Sequence, residues 1–416
     1  MTSGIYLHIP FCRIKCPYCD FNTYTGMQAR IPSYVQALLK ELTLRVDGEA
    51  PDRSEPVRSI YFGGGTPSLL SPEQVAALLD GIRGSLPLAS EPEITLEANP
   101  GTVTTETLAG YREAGVNRLT IGCQTFQPEL LRGLGRLHST EDSLRTIEQA
   151  QSVGFDNLNI DLMFGLPSQT LSDWEADLDT VAHLPLSHLS LYNLTIEEAT
   201  PFAREQEAGR LLLPEEEACR EMYLLAVDRA QTAGFVRYEV SNFAQSGRTC
   251  LHNQLYWSGK SWIALGAGAH GFSAGVSKWG RRWWNLRAPG AYMASIKAGD
   301  LPEAGSELLQ RQQAIDEALM LGLRTREGLD LERFHQRFGI DPLEHPDHHL
   351  ADALSKGLLE VKSGRLVATE NAVIIVDYLI QHLASSLDRP APSDSLGPRH
   401  PGRATDATKG SSWRPG

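Results

Sequence analysis

Three cysteines near the start of the chain form its most distinctive chemical pattern. Cys12, Cys16 and Cys19 follow the spacing C-x3-C-x2-C, whereas the other three of the six cysteines stand alone. Thiolates hold iron–sulfur clusters, usually four to a cubane, so three would leave one iron without a protein ligand. A structural zinc ion needs four ligands, usually from paired C-x2-C knuckles, and the sequence has no second knuckle. The pattern therefore predicts a cluster with one open iron, with zinc as the weaker alternative.

Glycines and polar residues at the ends of predicted strands form a second group. Gly63–Gly65 follow a strand, where glycines let the backbone approach a ligand and expose amide donors. Glu97 ends the next strand, Gln124 follows a fourth, and Arg136 can pair with a ligand carboxylate in a fork. Asp161 lies inside an apolar strand, where a buried carboxylate needs polar partners. The plain alternative is turns, helix caps and structural hydrogen bonds, but beside the cysteines these residues indicate a ligand site.

A repeated βα pattern supplies the elements that would position these residues. Apolar β-rich runs alternate with amphipathic helical patterns through the first 235 residues. The predicted strands are Ile5–Ile9, Ser59–Phe62, Glu93–Ala98, Arg118–Gly122, Leu158–Met163 and His188–Leu194. The predicted helices are Pro32–Val46, Pro72–Gly84, Thr104–Ala114, Thr140–Val153, Leu171–Leu184 and Pro214–Ala233. This α/β alternation predicts a parallel barrel or a doubly wound sheet, and in either fold function gathers at the carboxyl ends of the strands.

The pattern changes after residue 235. Residues 236–304 are predicted as a β-rich extension, and residues 305–385 as a small helical, winged-helix-like domain with a hairpin. Residues 386–416 are rich in Pro, Gly and Ser without apolar periodicity, so a disordered tail is expected there. The short strands of the extension are predicted at Val236–Asn242, Leu255–Trp257 and Trp262–Leu265.

The charge and hydropathy of the chain exclude several classes. Lys and Arg number 38 against 51 Asp and Glu, giving a formal net charge of −13 over 416 residues. A protein that binds phosphate backbones needs a basic cluster, and none stands out, so no nucleic-acid partner is expected. No apolar run reaches the roughly 18 residues of a membrane span. A basic and apolar leader is also absent at the start, so a cytoplasmic protein without a transmembrane segment is expected.

Several longer motifs together resemble one superfamily. The segment from Tyr6 through the cysteines to Phe21 is similar to the radical S-adenosylmethionine (SAM) enzymes, in the branch of the oxygen-independent coproporphyrinogen oxidases. Within that branch, the run His252-Asn-Gln-Leu-Tyr-Trp257 resembles the signature of the HemW haem chaperones. The other matching motifs are Gly63–Pro67, Glu97–Pro100, Gly122–Phe126, Gly135–His138, Asp161–Pro167 and Tyr238–Ala244.

The resemblance implies a fold, cofactors and contact residues. The fold would be a partial (β/α)6 barrel with a small C-terminal domain. Cys12, Cys16 and Cys19 would hold a [4Fe–4S] cluster whose open iron binds the amino and carboxylate groups of SAM. The implied SAM contacts are Tyr6, Gly64, Gly65, Thr66, Glu97, Gln124, Arg136 and Asp161.

Two departures from the oxidases favour the chaperone branch. The oxidases carry a further cysteine where this chain has Phe21, and a long N-terminal arm where only eleven residues precede Cys12. The expected function is binding of haem and its delivery to acceptor haemoproteins, including membrane-associated respiratory enzymes. The alternative is oxidative decarboxylation of coproporphyrinogen III.

Residues of the extension are the expected haem contacts. His252 is the first candidate for an axial ligand, in a turn-like stretch expected to reach a surface groove. His270 is a weaker rival. The run Arg281–Trp284 and Arg287 combine cations with aromatic rings, a composition suited to haem propionates.

Overall fold

Alternating apolar and polar residues build the parallel strands. The computed structural model describes residues 2–48, 56–344 and 348–387. In the first strand, Ile5, Leu7 and Ile9 are fully buried among the hydrophobic residues of the core, while Tyr6 and His8 lie on the opposite face. Each strand thus has an apolar face that packs against the helices and a polar face that points into the interior of the barrel.

Twelve strands form one sheet. Their order is β14-β13-β12-β11-β1-β4-β5-β6-β7-β8-β10-β9, in which β1 and β4–β8 are parallel neighbours. The strands of this sheet are β1 (Thr2–Ile9), β4 (Val57–Gly64), β5 (Leu88–Ala98), β6 (Arg118–Gln124), β7 (Leu158–Phe164), β8 (His188–Asn193), β9 (Val236–Arg237), β10 (Asn242–Ala244), β11 (Ser261–Leu265), β12 (His270–Ser273), β13 (Arg281–Asn285) and β14 (Glu303–Leu308). A separate pair joins β2 (Phe11–Cys12) to β3 (Tyr24–Thr25).

The six predicted βα units are confirmed. A helix follows each of the six parallel strands, and several helices begin at side-chain caps that the sequence supplies, such as Ser71 with Gln74 and Thr170 with Asp173. The helices are α1 (Ile31–Gly48), α2 (Pro72–Ser85), α3 (Thr105–Ala114), α4 (Pro128–Gly133), α5 (Thr140–Ser152), α6 (Leu171–Val181), α7 (Pro201–Glu207) and α8 (Glu216–Thr232). This alternation places every strand-to-helix loop at the same edge of the sheet.

The extension after α8 is only partly as predicted. The strand predicted at Leu255–Trp257 is wrong, because Leu251–Trp257 form the helix α9. The Glu93 carboxylate accepts hydrogen bonds from the amides of Leu251 and His252, both at 3.0 Å. These first-turn amides have no partner within a helix, so an anion at this end stabilises it. The strand predicted at Val236–Asn242 is divided into β9 and β10.

Beyond the sheet, α10 (Pro289–Ala298) follows β13, and the described chain divides between Leu309 and Gln310 into two units. The second unit combines helices with a three-stranded sheet of order β15-β17-β16. Its elements are α11 (Arg311–Leu323), β15 (Leu329–Asp330), α12 (Leu331–Phe338), α13 (His348–Ser355), β16 (Leu359–Lys362), β17 (Arg365–Ala368) and α14 (Val376–Leu387). The predicted tail lies outside the described residues from residue 388 onward. In the part of the chain that the structure describes, no helix combines the length and apolarity of a membrane span.

Candidate functional site

The three predicted cluster ligands share one loop at the carboxyl end of β1. The parallel pairing of β2 with β3 closes the segment between them into a loop. Cys12 lies on β2, and within the loop the amide of Cys19 donates to the carbonyl of Cys16 at 3.2 Å. All three thiols are partly exposed, and burial raises the pKa of Cys19 to about 11. The thiols are therefore accessible, and a bound metal would supply the positive charge that deprotonates them.

The surroundings of these thiols suit a cluster. A Cβ added to Gly65 would lie 3.0 Å from Cys12 Sγ, so a side chain there would fill the space beside the thiol. Thr66 Oγ1 donates to Cys12 Sγ at 3.5 Å, and Arg136 Nη1 donates to Cys16 Sγ at 3.7 Å. Among the described residues, no three His, Cys, Asp or Glu side chains converge as ligands of a single ion. A cubane instead binds each thiolate through a different iron, so the donor set fits an iron–sulfur cluster better than zinc.

Glu97 lies on the inner face beside the glycine turn. Its carboxylate accepts hydrogen bonds from Tyr61 Oη at 2.9 Å and from the amide of Gly64 at 3.1 Å. A Cβ added to Gly63 would lie 3.2 Å from Glu97 Oε1 and 2.9 Å from the Tyr6 ring. Gly63 is thus packed closely against a carboxylate and two phenol rings, and a side chain at this position would collide with them.

Asp161 lies on the same inner face, two strands away. Its carboxylate accepts from Asn159 Nδ2 at 2.9 Å. Burial raises its pKa to about 6, and burial together with the Asp161 charge raises the pKa of Glu97 to about 7. Two carboxyl groups with raised pKa values in one interior are a common feature of ligand sites. The fold therefore places Glu97 and Asp161 close enough for the charge of Asp161 to raise the pKa of Glu97.

Arg136 connects the cysteine loop to the ends of β5 and β6. Its Nη2 donates to Asn99 Oδ1 at 2.6 Å and to the Gly122 carbonyl at 2.9 Å, while its buried Nε has no partner among the described residues. Gln124, at the end of β6, has a left-handed φ of 69°, which is strained for a residue with a side chain. Asn99 also donates to Thr66 Oγ1 at 3.0 Å and was not singled out from the sequence, although it lies in the motif that begins with Glu97.

Tyr6 contributes through a second residue that sequence reasoning missed. The Tyr6 hydroxyl lies 3.0 Å from His8 Nδ1, and His8 Nε2 lies 3.0 Å from the carbonyl of Asn22. His8 is two residues from Tyr6 on β1, so the alternation of the strand was the signal that places both on the inner face. The pair ties the inner face to the cysteine loop, because Asn22 follows the last cysteine.

The expected position of His252 is wrong. It lies in α9 instead of a loop, its side chain is 1% exposed, and it faces no surface groove. His252 Nδ1 lies 2.9 Å from Ser59 Oγ and Nε2 lies 2.9 Å from Tyr256 Oη, so both ring nitrogens have partners. Burial, followed by the charge of Arg118, lowers its pKa to about 3. To ligate haem iron, His252 would have to leave the interior and break one of these bonds.

The other predicted haem contacts lie on β12 and β13. His270 is exposed, and its ring stacks on that of Trp284 with centroids 6.2 Å apart and planes 24° apart. Arg287 is exposed, whereas Arg281 and Arg282 are half-buried and form ion pairs with Glu303 and Glu307. His270 and Arg287 are therefore accessible, whereas Trp283 of the predicted run is buried, as His252 is.

Comparisons with known proteins agree with the geometry. The sequence model of the Radical SAM superfamily matches residues 6–181, and that of the HemN C-terminal domain matches residues 309–375. The chain is similar to the "Heme chaperone HemW" of Bacillus subtilis, with 37% identity over 378 residues that cover 90% of this chain and 97% of that one. The protein of the same name from Mycobacterium tuberculosis H37Rv is 37% identical over 91% of this chain and 94% of its own.

A solved structure shows the same fold. The coproporphyrinogen III oxidase HemN from Escherichia coli superposes with a TM-score of 0.78, at 22% identity, over 92% of this chain and 90% of that one. At that identity the likeness shows the fold alone. It confirms the expectation of a partial barrel of the radical SAM type followed by a C-terminal domain.

Proposed function

Because the chain belongs to the family of HemW haem chaperones within the radical SAM superfamily, we propose that it binds haem and delivers it to acceptor haemoproteins. In this proposal it carries a [4Fe–4S] cluster and SAM. The observation that carries the proposal is the meeting of Cys12, Cys16 and Cys19 with the glycine turn and Arg136 at one edge of the barrel. The clustered free cysteines favour a reducing compartment, and we propose the cytoplasm.

The three cysteines would hold the cluster. When bound, it would present one iron without a protein ligand, which supplies a binding position for the amino and carboxylate groups of SAM. Arg136 would offset the negative charge of the thiolates through Cys16. Gly65 and Thr66 would keep the space beside Cys12 open and place a hydroxyl donor there.

The inner face would bind the rest of SAM. The carboxylate of Glu97, which accepts from the amide of Gly64, borders the glycine turn and suits the amino group of the cofactor. Gln124 and Asp161 offer an amide and a carboxylate, groups that pair with ribose hydroxyls. Tyr6 would close this space from the side of β1, held by His8.

Phe21 supports the chaperone over the oxidase. It stands where the oxidases have a further cysteine, and its side chain is 51% exposed beside the cluster loop. An apolar side chain at this position cannot replace a thiol as a ligand or reactive group. We therefore expect haem to be the cargo of this chain and porphyrinogen decarboxylation to be absent.

Three measurements on the same anaerobic preparation test the proposal. Reconstituted protein should bind ferric haem in a titration followed at the Soret band, and it should form no protoporphyrinogen from coproporphyrinogen III with SAM and a reductant. SAM should also change the magnetic resonance spectrum of the reduced cluster. Coproporphyrinogen turnover would overturn the chaperone function, and an unchanged cluster spectrum would overturn SAM binding.

A further inference from the structure

The strands β12, β13 and β14 continue the inner face of the barrel beyond β1. Gly4 pairs with Trp262 on β11, and Trp262 pairs with Phe272 on β12. Residues directly opposite on neighbouring strands share a face, as do residues two apart on one strand. By this register His270, Trp284 and Gly305 lie on the face that carries Tyr6 in the barrel. The extension thus presents an inner surface next to the barrel opening.

We propose that His270 is the protein ligand of haem iron and that Arg287 and Arg282 bind the haem propionates. This inference rests on the proposed haem-binding function and names its site. The surface formed by His270, Trp284, Arg282 and Arg287 is called the His270 face below.

Among the histidines described in the first unit, His270 has the best properties for a ligand. His8, His188 and His252 are buried, and each has a partner at both ring nitrogens. His138 is 7% exposed and bonds to the Cys123 carbonyl. The ring of His270 is exposed and has no hydrogen-bond partner among the described residues. An imidazole must be accessible to bind iron, and the buried histidines do not meet this condition.

His183 is also exposed, but its surroundings differ from those of His270. His270 is fixed in its strand, because its carbonyl accepts from Trp262 Nε1 at 2.8 Å. Its ring stacks on Trp284, whose indole in turn lies against Gly305, where an added Cβ would come within 2.6 Å of it. An axial imidazole stands perpendicular to the porphyrin plane. Trp284, nearly parallel to the imidazole, would therefore fix the orientation of the ring.

The charge of the His270 face suits an anionic porphyrin. Arg287 and Arg282 belong to the same face as the His270 ring, and Arg282 shares its side of the sheet by the pairing of β12 with β13. Arg287 is exposed, and its guanidinium has only a 3.5 Å contact from Nε to Asn22 Oδ1 among the described residues. Arg282 reaches Glu307 at 3.4 Å. Two cations beside an accessible imidazole match a planar ligand with a central metal and two carboxylates at its rim.

Hydrogen bonds also connect the His270 face to the cysteine loop, which carries Cys12, Cys16 and Cys19. Asn22 Nδ2 donates to the carbonyls of Ala267 and Arg287, both at 2.9 Å. Ala267 precedes β12, and Arg287 belongs to the His270 face and follows β13. Tyr24 Oη donates to the same Arg287 carbonyl at 3.1 Å. Hydrogen bonds from the cysteine loop therefore stabilise the proposed haem site. This connection gives a structural reason for one chain to carry both a cluster and haem.

A haem titration of the full-length protein with four variants tests the assignment. His270→Ala should weaken ferric haem binding at least roughly tenfold, since even residues that only orient a metal ligand cost that much. Free imidazole should restore the Soret band of His270→Ala. His270→Met should bind haem with a different spectrum, because a thioether replaces the imidazole. Arg287→Ala should weaken binding by up to about fivefold, the range of an exposed ion pair.

His183→Ala is the matched control, another exposed histidine of the first unit, and should bind haem as the wild type does. Far-ultraviolet circular dichroism and iron content should be equal in all variants, which shows that they fold and hold the cluster. An unchanged Soret band and affinity in both His270 variants would overturn the assignment while leaving haem binding intact. Failure of the wild type to bind haem would overturn the proposed function itself, and the assignment with it.

Discussion

Ser59 Oγ and His252 Nδ1 lie 2.9 Å apart at the amino-terminal end of the barrel interior. Ser59 is on β4 and His252 is in the first turn of α9, so this contact fastens the helix to the barrel. The His252 ring also stacks on Tyr61, with centroids 5.2 Å apart. His252 thereby lies at the end of the barrel opposite to the loop that carries Cys12, Cys16 and Cys19.

The His252→Ala variant is expected to be less stable. The change would leave the hydroxyls of Ser59 and Tyr256 without their buried partner and open a cavity, which costs about 2–4 kcal/mol of unfolding free energy. Chemical denaturation measures this loss, and His183→Ala, at an exposed position, should show none. Haem affinity per folded molecule should not change. A specific loss of haem binding with unaltered stability would instead make His252 a ligand.

The cysteine variants should divide into two groups. Replacing Cys12, Cys16 or Cys19 by Ser should abolish the cluster, because each would bind a different iron. Cys219→Ser, at a half-buried thiol in α8, is the matched control. Reconstituted wild type and control should contain about four irons per chain by chemical analysis, beyond haem iron. If Cys219 proved as necessary as the other three, the assignment of three ligands would be refuted.

Gly65→Ala should remove the cluster without unfolding the protein. The added methyl would lie 2.8 Å from the Phe11 carbonyl and 3.0 Å from Cys12 Sγ, so the cysteine loop must shift. Gly84→Ala, in α2, is the matched control, since nothing lies within 4 Å of its added methyl. Iron content after reconstitution should fall severalfold in Gly65→Ala alone. Equal iron content in both variants would show that the loop tolerates the methyl group.

Glu97 should make the stability of the cluster-free protein depend on pH. Its pKa is raised to about 7 in the folded state by burial and by Asp161, so the folded chain binds more protons than the unfolded chain between about pH 4.5 and 7. The stability must therefore decrease as the pH rises through this window. Glu97→Gln should remove about 1–3 kcal/mol of that decrease, as measured by denaturation at pH 5 and pH 8.

The exposed residue Glu91 on the same strand provides the control for this measurement. Glu91→Gln should leave the pH dependence as it is in the wild type. If Glu97→Gln and Glu91→Gln gave the same profile, the carboxyl group of Glu97 would titrate normally, and its proposed coupling to Asp161 would be wrong.

Local patterns in the sequence determined the order of strands and helices and the loop that carries Cys12, Cys16 and Cys19. Short apolar, β-rich runs followed by amphipathic helical patterns identified all six parallel strands, because the apolar face of a strand must be covered by a helix. Cap residues such as Ser71 and Thr170 fixed helix starts through bonds to residues three positions away. The ligand spacing from Cys12 to Cys19 is equally local, since a short loop brings those thiols together in any fold that ends a strand there.

Contacts between distant residues decided the rest. Leu255–Trp257 is apolar and aromatic, which predicts a strand, but the carboxylate of Glu93 on β5 caps the amides at the start of α9 and makes the segment helical. The same capping buries His252, whereas the pairing of β12 with β13 leaves His270 exposed beside Trp284. A sequence shows which residues can bind a metal, but burial and the partners of each ring nitrogen arise only when the strands and helices pack, and these determine which histidine is free to bind haem.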